Sequence, residues 1–535
     1  MRVTKPPISA FLLASILNYV AADSPQTVDL GYATYQGTFN STSNITSFLG
    51  VRYASPPSGT LRFQAPVAAP TVTGTLLANA QPPECPQAGM GDEPTSPSSS
   101  RLVKRATDIE DCLFLNVFVS GEVSPGLKLP VVVWIHGGGY VSGSTTQAGS
   151  DGGDLVQDAG GGVVAVLIQY RLGIFGFLPG SEMKEHGVLN AGLLDQEFAL
   201  KWVQEHVSTF GGDPTKVTIW GQSAGAGSVI QHVIAHGGNT QPPLFRAAMT
   251  SSSFLPSQYK FNDPIPEQLY SDAIEQTGCS NTTDAFACLM SVDAGILETV
   301  NVAICLNNFF GTFTFVPVVD GSFIVESPTE TIARGRLNGD VLLSVTNTFE
   351  GRIFVSSEIV SNMTVSDYIS QLFPTFGKTQ IEAAAREYTG IGLDTIFDQA
   401  VAIMGESIFI CPTYTLLNGF RGHSFKGEFA VPPGNHGTDV SYYFPTGAVQ
   451  PFPNAHFAAS FAGSFLGVVK SLSPNNNPLF PESITPAWPT FAARDTEMLF
   501  NVTDAREPDI RTFMTDKALI ERCDFWKSVS AFTPQ

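Results

Sequence analysis

Residues 216–227 read Lys-Val-Thr-Ile-Trp-Gly-Gln-Ser-Ala-Gly-Ala-Gly, and the rest of the chain is interpreted from this stretch. An apolar, β-branched run ends at Ser223, which lies between Gly221 and Gly225. A serine hydroxyl is a weak nucleophile until a base takes its proton, and a sharp strand-to-helix turn lifts such a serine towards base and substrate. The glycines permit that turn because a Cβ would collide with nearby backbone. The stretch predicts a nucleophilic serine; an ordinary glycine-rich turn is the alternative, since Gly-x-Ser-x-Gly alone is a weak signal.

The composition is that of a folded protein with a large core. Of 535 residues, 43% are hydrophobic and 14% are charged, which excludes disorder for most of the chain. The formal net charge is −20 at pH 7, and loss of Arg2 and Lys5 with a leader would make it −22. Such a surface repels nucleic-acid phosphates and anionic lipids. We therefore expect no nucleic-acid partner.

The first 22 residues are typical of a secretory signal. Arg2 and Lys5 precede an apolar run over residues 8–20, and small residues lead up to Ala22. About 13 apolar residues are too few to span a bilayer comfortably, which disfavours a membrane anchor. We expect cleavage after Ala22, secretion to the extracellular medium, no integral membrane anchor, and a single domain over residues 23–535.

Sequons for N-glycosylation agree with export. Five Asn-x-Ser/Thr tripeptides fit a glycosylating secretory route and indicate a eukaryotic source. They begin at Asn40, Asn44, Asn281, Asn362 and Asn501.

Seven cysteines in an exported chain are interpreted first as disulfides. Cys279 and Cys288 can close a short surface loop, and Cys85 and Cys112 bracket a longer polar segment. Three cysteines remain, so at least one thiol is unpaired; they are Cys305, Cys411 and Cys523. Neither a Cys-x-x-Cys motif nor a histidine cluster indicates a metal site, and we expect no metal.

The hydrophobic pattern predicts an α/β fold. Alternating apolar and polar residues over 27–53 indicate antiparallel strands at a sheet edge. Short apolar runs then indicate strands buried on both faces, at 113–119, 129–135, 163–167, 217–220 and 341–345. Between the third and fourth runs, residues 191–210 show the periodicity of an amphipathic helix, which the glycines and proline at 211–214 should end. Strands alternating with helices predict a mainly parallel sheet covered on both faces.

A triple-glycine stretch follows the strand predicted at 129–135. It reads His136-Gly-Gly-Gly-Tyr140, and glycines expose backbone N–H groups with no side chain in the way. Acyl-transfer enzymes need such donors to hold the oxyanion of the tetrahedral intermediate. We expect Gly138, Gly139 and Ala224 to donate those N–H groups, and His136 to support the loop rather than to act as a base.

The base must be a histidine downstream of the nucleophile, because enzymes with this elbow carry serine, acid and histidine in that order. Of the eight histidines, three lie far enough downstream to leave room for the acid in between. His423 enters a predicted strand at 424–430. His456 lies in a predicted helix among Phe and Ala, and we interpret it as a packing residue. His436 is flanked by glycines in a loop after that strand and is the preferred base.

The acid is expected at the tip of a later strand, where it can orient the imidazole. Glu350 follows the apolar run 341–345 and precedes Gly351. Asp320 is the rival carboxylate, but its Val-Val-Asp-Gly context is typical of a turn. An ordinary surface glutamate is the alternative interpretation of Glu350, and only its position after a strand favours catalysis.

With these residues assembled, the chain strongly resembles the type-B carboxylesterase/lipase family of α/β-hydrolases, which includes cholinesterases, secreted fungal lipases and the non-catalytic neuroligins. The motifs that carry the resemblance are, in order, Glu110-Asp-Cys-Leu-Phe-Leu-Asn116, the loop from His136, Tyr170-Arg-Leu-Gly173, Leu193-Leu-Asp-Gln196, Phe210-Gly-Gly-Asp-Pro214, the elbow, Glu350-Gly351 and His436-Gly437.

The resemblance implies several roles in this chain. Ser223, Glu350 and His436 would form the triad, and Gly138, Gly139 and Ala224 the oxyanion hole. Disulfides would join Cys85 to Cys112 and Cys279 to Cys288, and the Ser251 hydroxyl would contact the acid.

Departures from the family pattern narrow the expected substrate. The residue before the nucleophile is Gln222, where the family usually has Glu, so a negative charge beside the serine is missing. No Trp lies between Cys85 and Cys112, where choline-binding members carry an aromatic residue, so cholinesterase activity is disfavoured. The loop 86–111 corresponds to the lid of fungal lipases, but few of its residues are apolar, chiefly Met90, Leu102, Val103 and a few alanines. We therefore prefer an esterase over an interfacially activated lipase.

The same loop contains Lys104-Arg105, which resembles a dibasic processing site. Cleavage after Arg105 would leave two pieces joined by a Cys85–Cys112 bridge. A solvated basic patch is the alternative.

The sequence thus predicts a secreted, glycosylated serine ester hydrolase that needs no cofactor and acts on a small-molecule or lipid ester. A lipase or sterol esterase acting on water-insoluble esters is the alternative within this class. A non-catalytic cholinesterase-like binding protein is the alternative of another class. The oligomeric state is left open.

Overall fold

Within the described residues of this computed structural model, thirteen strands join in one sheet. The structure describes residues 24–93, 110–146, 150–475, 482–492, 495–533 and 535. The predicted signal at 1–22, residues 94–109 of the predicted lid and the cleavage site at Arg105 lie outside the described residues. The strands are β1 (Ser24–Asp29), β2 (Thr34–Asn40), β3 (Ile45–Arg52), β4 (Thr75–Leu77), β5 (Phe114–Ser120), β6 (Leu129–Ile135), β7 (Val164–Ile168), β8 (Gly212–Gln222), β9 (Ala247–Ser251), β10 (Val341–Asn347), β11 (Ser424–Phe429), β12 (Thr496–Val502) and β13 (Pro508–Met514).

The sheet is mixed, with a parallel centre and antiparallel edges. Its order is β1-β2-β3-β5-β7-β6-β8-β9-β10-β11-β12-β13, and β4 pairs with β2. Neighbours are antiparallel from β1 to β7 and parallel from β7 to β12. The predicted parallel sheet with an antiparallel N-terminal edge is confirmed. The antiparallel pair of β12 with β13 at the opposite edge was not predicted.

Sixteen α-helices are found in the described part of the chain. They are α1 (Gly152–Asp158), α2 (Gly173–Phe177), α3 (Ser181–His186), α4 (Ala191–His206), α5 (Ala224–Gly238), α6 (Pro264–Gln276), α7 (Ala285–Ser291), α8 (Ala294–Leu306), α9 (Pro328–Arg334), α10 (Ser357–Val360), α11 (Val365–Leu372), α12 (Lys378–Glu387), α13 (Ile396–Gly405), α14 (Cys411–Gly419), α15 (Ala455–Ser471) and α16 (Lys517–Ser528). A π-helical turn (Glu406–Ile410) joins α13 to α14.

Both faces of the sheet are buried, which explains the continuous apolar runs. Along β6, Val131, Val133 and Ile135 belong to one core cluster, whereas Val132 and Trp134 belong to the other. Successive side chains of a strand point to opposite faces, so a strand with helices on both sides must be apolar at every position.

The central strand β8 begins earlier than predicted. Residues 211–214 were expected only to end the preceding helix, yet β8 starts at Gly212, which pairs with Leu129 ahead of an irregularity in the register. The helix itself is α4, continued by a 3₁₀ turn (Val207–Phe210). At its other end β8 stops at Gln222, and α5 begins two residues later.

The turn between β8 and α5 is tightly packed against β6. Ser223 has φ 56° and ψ −126°, and its backbone N–H donates to the Ser251 carbonyl at 3.0 Å. A Cβ on Gly225 would lie 2.0 Å from the Ile135 carbonyl oxygen, and one on Gly221 would lie 2.3 Å from the Gly225 carbonyl. Both glycines are therefore required sterically.

Three disulfides are present. Two join Cys85 to Cys112 and Cys279 to Cys288. The third joins Cys411 at the start of α14 to Cys523 in α16, which the sequence left open. Cys305 is free and buried, and burial raises the pKa of its thiol.

One helical stretch among the described residues, Ile396–Gly419, has the length and apolar composition of a membrane span, and a bent pair of helices, α7 with α8, would pass the same test only if counted as one span. The most apolar window of Ile396–Gly419 is 83% buried within the fold. This burial is typical of a core helix.

The packing at the turn predicts that Gly225→Ala destabilises the protein. The new Cβ would meet backbone atoms of β6 that cannot move independently of the sheet, and overpacking of this kind costs on the order of 1–3 kcal/mol. We expect the Tm in differential scanning fluorimetry to fall by several degrees. Gly377→Ala is the control, because the nearest atom there is the movable end of the Gln380 side chain at 3.1 Å. Equal Tm values for the two variants would contradict the steric argument.

Candidate active site

His436 and Glu350 meet at the carboxyl end of two adjacent parallel strands. Nδ1 of His436 lies 2.6 Å from Oε2 of Glu350, and the two side chains are 6% and 0% exposed. Their loops follow β11 and β10, and the Phe349 N–H donates to the Gly434 carbonyl at 2.8 Å between them. Because an ionised carboxylate can only accept, Nδ1 carries the proton, and Nε2 of the neutral ring is left as the acceptor.

A second buried carboxylate lies behind this pair. Oε1 of Glu350 accepts the Asn347 backbone N–H at 2.6 Å, while Nδ2 of Asn347 donates to Oδ1 of Asp439 at 2.9 Å. The Tyr443 hydroxyl donates to Oδ2 of Asp439 at 3.1 Å. Burial raises the pKa of Asp439 to about 6, and the nearby Glu350 charge acts in the same direction. The sequence reasoning did not identify Asn347 or Asp439, although Asp439 follows the predicted base by only three positions.

Ser251 does not have the expected contact. Its hydroxyl accepts a hydrogen bond from the Trp220 indole at 3.2 Å, and its carbonyl accepts the Ser223 N–H. Among the described residues, the hydrogen bonds to the Glu350 carboxylate come from His436 and Asn347. The Ser251 hydroxyl thus contacts Trp220 of the elbow strand rather than the acid. The neighbouring Ser252 hydroxyl accepts from Nδ2 of Asn347 at 3.1 Å.

Ser223 and His436 line the same pocket, and Gln222 lies between them and the glycine loop. Nε2 of Gln222 is 3.1 Å from Nε2 of His436. The hydrogen bonds between described residues include none from the Ser223 hydroxyl to His436. Where a serine and a histidine act together, their hydrogen bond is often long without a ligand and shortens only in the complex with substrate.

The glycine loop turns sharply next to Ser223. Gly138 and Gly139 have φ values of 101° and 63°, and a Cβ on Gly139 would lie 1.9 Å from the Phe313 ring. In the described part of the chain, no loop hydrogen bond is donated by the N–H of either glycine. Ala224 is the first residue of α5, where the N–H has no partner within the helix. All three N–H groups are thus available to an oxyanion.

His136 supports the loop, as the sequence suggested. Its ring stacks on Tyr170 at 4.4 Å, and Nδ1 donates to the Gly137 carbonyl at 2.9 Å. Burial lowers the pKa of His136 to about 4, so the ring is neutral near pH 7. A buried neutral ring of this kind acts as packing.

The rival candidates lie elsewhere. His423 is exposed just before β11, and His456 is exposed on α15, with Nδ1 3.1 Å from the Glu482 carbonyl, so the packing explanation for His456 was wrong. Asp320 accepts the N–H groups of Ser322 and Phe323 at 2.5 and 2.8 Å, as a turn residue does.

Two adjoining cavities accompany these residues. The catalytic pocket, of about 690 Å³, contains Ser223, His436, Gln222 and the glycine loop. A second cavity, of about 430 Å³, shares Phe313 and Phe354 with it. Five phenylalanines line this second cavity, which we call the phenylalanine cavity: Phe254, Phe309, Phe313, Phe354 and Phe409. The sequence contains 39 Phe and offers no signal that selects these five.

The sequons differ in accessibility. Asn40, Asn44, Asn281 and Asn362 are exposed, whereas Asn501 is half-buried in β12. Its side chain accepts the Val502 N–H at 2.8 Å.

The chain is similar to known proteins in both sequence and fold. The sequence model of the carboxylesterase family matches residues 24–526. Carboxylesterase patB of Aspergillus clavatus is 29% identical, over 94% of this chain and 96% of that protein. Secreted lipase 1 of Botryotinia fuckeliana is 30% identical, over 84% of each. The crystal structure of Aspergillus niger EstA superimposes with a TM-score of 0.83 at 28% identity, covering 96% of this chain and 99% of that one.

The buried Asp439 predicts a pH-dependent difference in stability between the wild type and Asp439→Asn. The pKa of this carboxyl rises from 3.8 to about 6 on folding, so the folded state binds its proton more tightly. That contribution is fully present below about pH 4 and is lost as pH rises through about 6. We expect the wild-type Tm to fall relative to that of the variant between pH 4 and pH 7.

The exposed Asp504→Asn is the control, and its Tm difference from wild type should stay constant over the same range. A constant difference for Asp439→Asn would show that Asp439 titrates alike in the folded and unfolded chain.

Proposed function

Because the chain belongs to the carboxylesterase family and is a carboxylic ester hydrolase, we propose that it is a secreted serine esterase with Ser223, His436 and Glu350 as its triad. The observation that carries the proposal is the 2.6 Å contact of His436 with the buried Glu350 beside the Ser223 elbow. A histidine oriented by a carboxylate in the same pocket as a strained serine is the arrangement that activates a hydroxyl group.

The acylation step follows from these positions. The Ser223 oxygen attacks the ester carbonyl carbon while Nε2 of His436 takes the hydroxyl proton. The carbonyl oxygen becomes an oxyanion, which the N–H groups of Gly138, Gly139 and Ala224 hold. Glu350 keeps the proton on Nδ1 and stabilises the imidazolium that forms.

Collapse of the intermediate breaks the bond to the leaving alcohol, and His436 gives its proton to that oxygen. The acyl group stays on Ser223. Water then attacks the acyl-enzyme with His436 again as the base, and the acid product leaves. No step requires a cofactor.

Secretion is supported by independent features. Residues 1–22 have the sequence of a signal, four sequons are exposed, and three disulfides are typical of an oxidising compartment. Relatives bear the names Secreted lipase 1 and Secreted triacylglycerol lipase LIP1.

Ser223→Ala should abolish hydrolysis of p-nitrophenyl acetate. Without its oxygen no acyl-enzyme can form, and we expect kcat/KM to fall by roughly 10⁴-fold or more. Ser361→Ala, at an exposed position that lines neither cavity, should retain wild-type activity. Undiminished turnover by Ser223→Ala would refute the mechanism, and an inactive wild type that binds esters would favour a non-catalytic binding protein.

A lipase is the second candidate, and the phenylalanine cavity favours it. Its aromatic lining adjoins the catalytic pocket through Phe313 and Phe354, so a hydrocarbon chain of the substrate could be buried there. Against an interfacial lipase stands the predicted lid, in which few residues are apolar. An esterase and a lipase would differ here in the physical state of the ester they act on, and the proposed reaction is the same for both.

Rates across the solubility limit distinguish the two candidates. With p-nitrophenyl esters of increasing chain length, we expect the rate to saturate below the solubility limit and to show no jump when droplets form. The reason is that a polar lid gains little free energy by contact with oil. The same assay with Ser223→Ala corrects for spontaneous hydrolysis. A sharp rise in rate on droplet formation would instead identify a lipase.

A further inference from the structure

Gln222 is hydrogen-bonded to Nε2 of His436, the atom that takes the Ser223 proton in the proposed mechanism. Since Nδ1 of His436 donates to Glu350, Nε2 is the acceptor, and the amide nitrogen 3.1 Å away must be the donor. The neutral imidazole has one lone pair at Nε2. A hydrogen bond from Gln222 therefore competes with one from the Ser223 hydroxyl.

The Gln222 side chain lies close to two glycines, of which Gly137 leaves it the room that a Cβ would take and Gly437 would allow a Cβ at ordinary contact distance. A Cβ on Gly137 would lie 2.9 Å from Oε1 of Gln222, and a Cβ on Gly437 would lie 3.6 Å from its Nε2. The amide thus lies in a slot between the glycine loop and the loop that carries the base. Phe354 and Phe409 pack on the His436 ring, with ring centroids 5.0 and 4.8 Å away, and restrict its rotation.

We propose that Gln222 is a positioning residue: its amide N–H holds Nε2 of His436 in the resting enzyme and is displaced when Ser223 is activated. This role rests on the proposed function. An amide can donate to the neutral ring, which favours the unprotonated base. A carboxylate at this position could only accept, and it would favour the imidazolium instead.

The charged groups around the base determine the direction of the pH effect. Glu350 faces the ring from the loop after β10, and Asp439 lies behind it on the base's own loop. Phe354 and Phe409 present apolar faces, and the neutral His136 lies across the pocket. Gln222 is the neutral neighbour on β8, so a charge introduced there would act on Nε2 at the distance of a hydrogen bond.

Two substitutions distinguish a Gln222 amide that competes for Nε2 of His436 from a Gln222 side chain that only packs there. Gln222→Met keeps the length of the side chain but removes the donor, and Gln222→Glu replaces the donor by a charged acceptor. The first measurement is the second-order rate of inactivation by diethyl p-nitrophenyl phosphate, which reports on Ser223 activation without deacylation. We expect Gln222→Met to react about 2- to 10-fold faster than wild type, as removal of one competing neutral hydrogen bond implies.

The second measurement is the pH profile of kcat/KM on p-nitrophenyl acetate. Gln222→Glu should move the acid limb to higher pH by about one unit, as a close opposite charge does for an ionising group. The position of this limb does not depend on the amount of active protein, so partial misfolding cannot hide it. The exposed Gln157→Met should match wild type in both measurements.

The outcomes are distinguishable. Faster inactivation of Gln222→Met together with the shifted limb of Gln222→Glu supports the proposal. Unchanged or slower inactivation, or an unmoved limb, overturns it while leaving the triad intact. Failure of the wild type to react at Ser223, with Ser223→Ala as the reference, would overturn the proposed function itself.

Discussion

The backbone conformation of Ser223 is the constraint on which the rest of the structure depends. A non-glycine residue with φ 56° and ψ −126° costs on the order of 1–3 kcal/mol, and it persists only where its surroundings impose it. Here β8 is held between β6 and β9, and the Ser223 N–H is tied to Ser251. The glycines on either side let α5 start directly against β6. The sheet therefore supplies the free energy that holds the serine in this conformation at the end of its strand.

Several motif residues without a chemical role hold this frame together. Arg171 pairs with Asp195 of α4, with side chains 3% and 0% exposed, and Arg62 pairs with Glu110, both 6% exposed. The neighbour of Asp195, Gln196, donates to Ser228 of α5 at 2.9 Å. Removing one partner of a buried ion pair costs about 3–5 kcal/mol because the other charge is left unpaired. The Arg171–Asp195 pair and the Gln196 hydrogen bond together link the loop after β7, through α4, to the helix that follows the nucleophile.

Much of the fold was predictable because both faces of the central sheet are covered. Complete burial requires unbroken apolar runs, and such runs located β5, β6, β7 and β10 to within two residues at either end. The N-terminal strands were found through their alternation. The strands β12 and β13 were not found: every position of β13 is half-buried or exposed, and nothing in so polar a stretch distinguishes it from a loop. The Cys411–Cys523 disulfide was not predicted either, because its two cysteines are 112 positions apart in the sequence.

For the proposed site, the sequence by itself selected the side chains whose chemistry suits the proposed mechanism. A serine between two required glycines, a glutamate after a buried strand and a histidine between glycines are recognisable because each depends on its immediate neighbours in the chain. Only the tertiary structure decided the contacts among them: Asn347 between two carboxylates, Ser251 against Trp220 instead of the acid, and Gln222 on the nitrogen of the base. These contacts depend on which loops the sheet order brings together at one edge. A shift of a few tenths of a nanometre gives a hydrogen-bonding group a different partner. The local sequence does not determine atomic positions that finely.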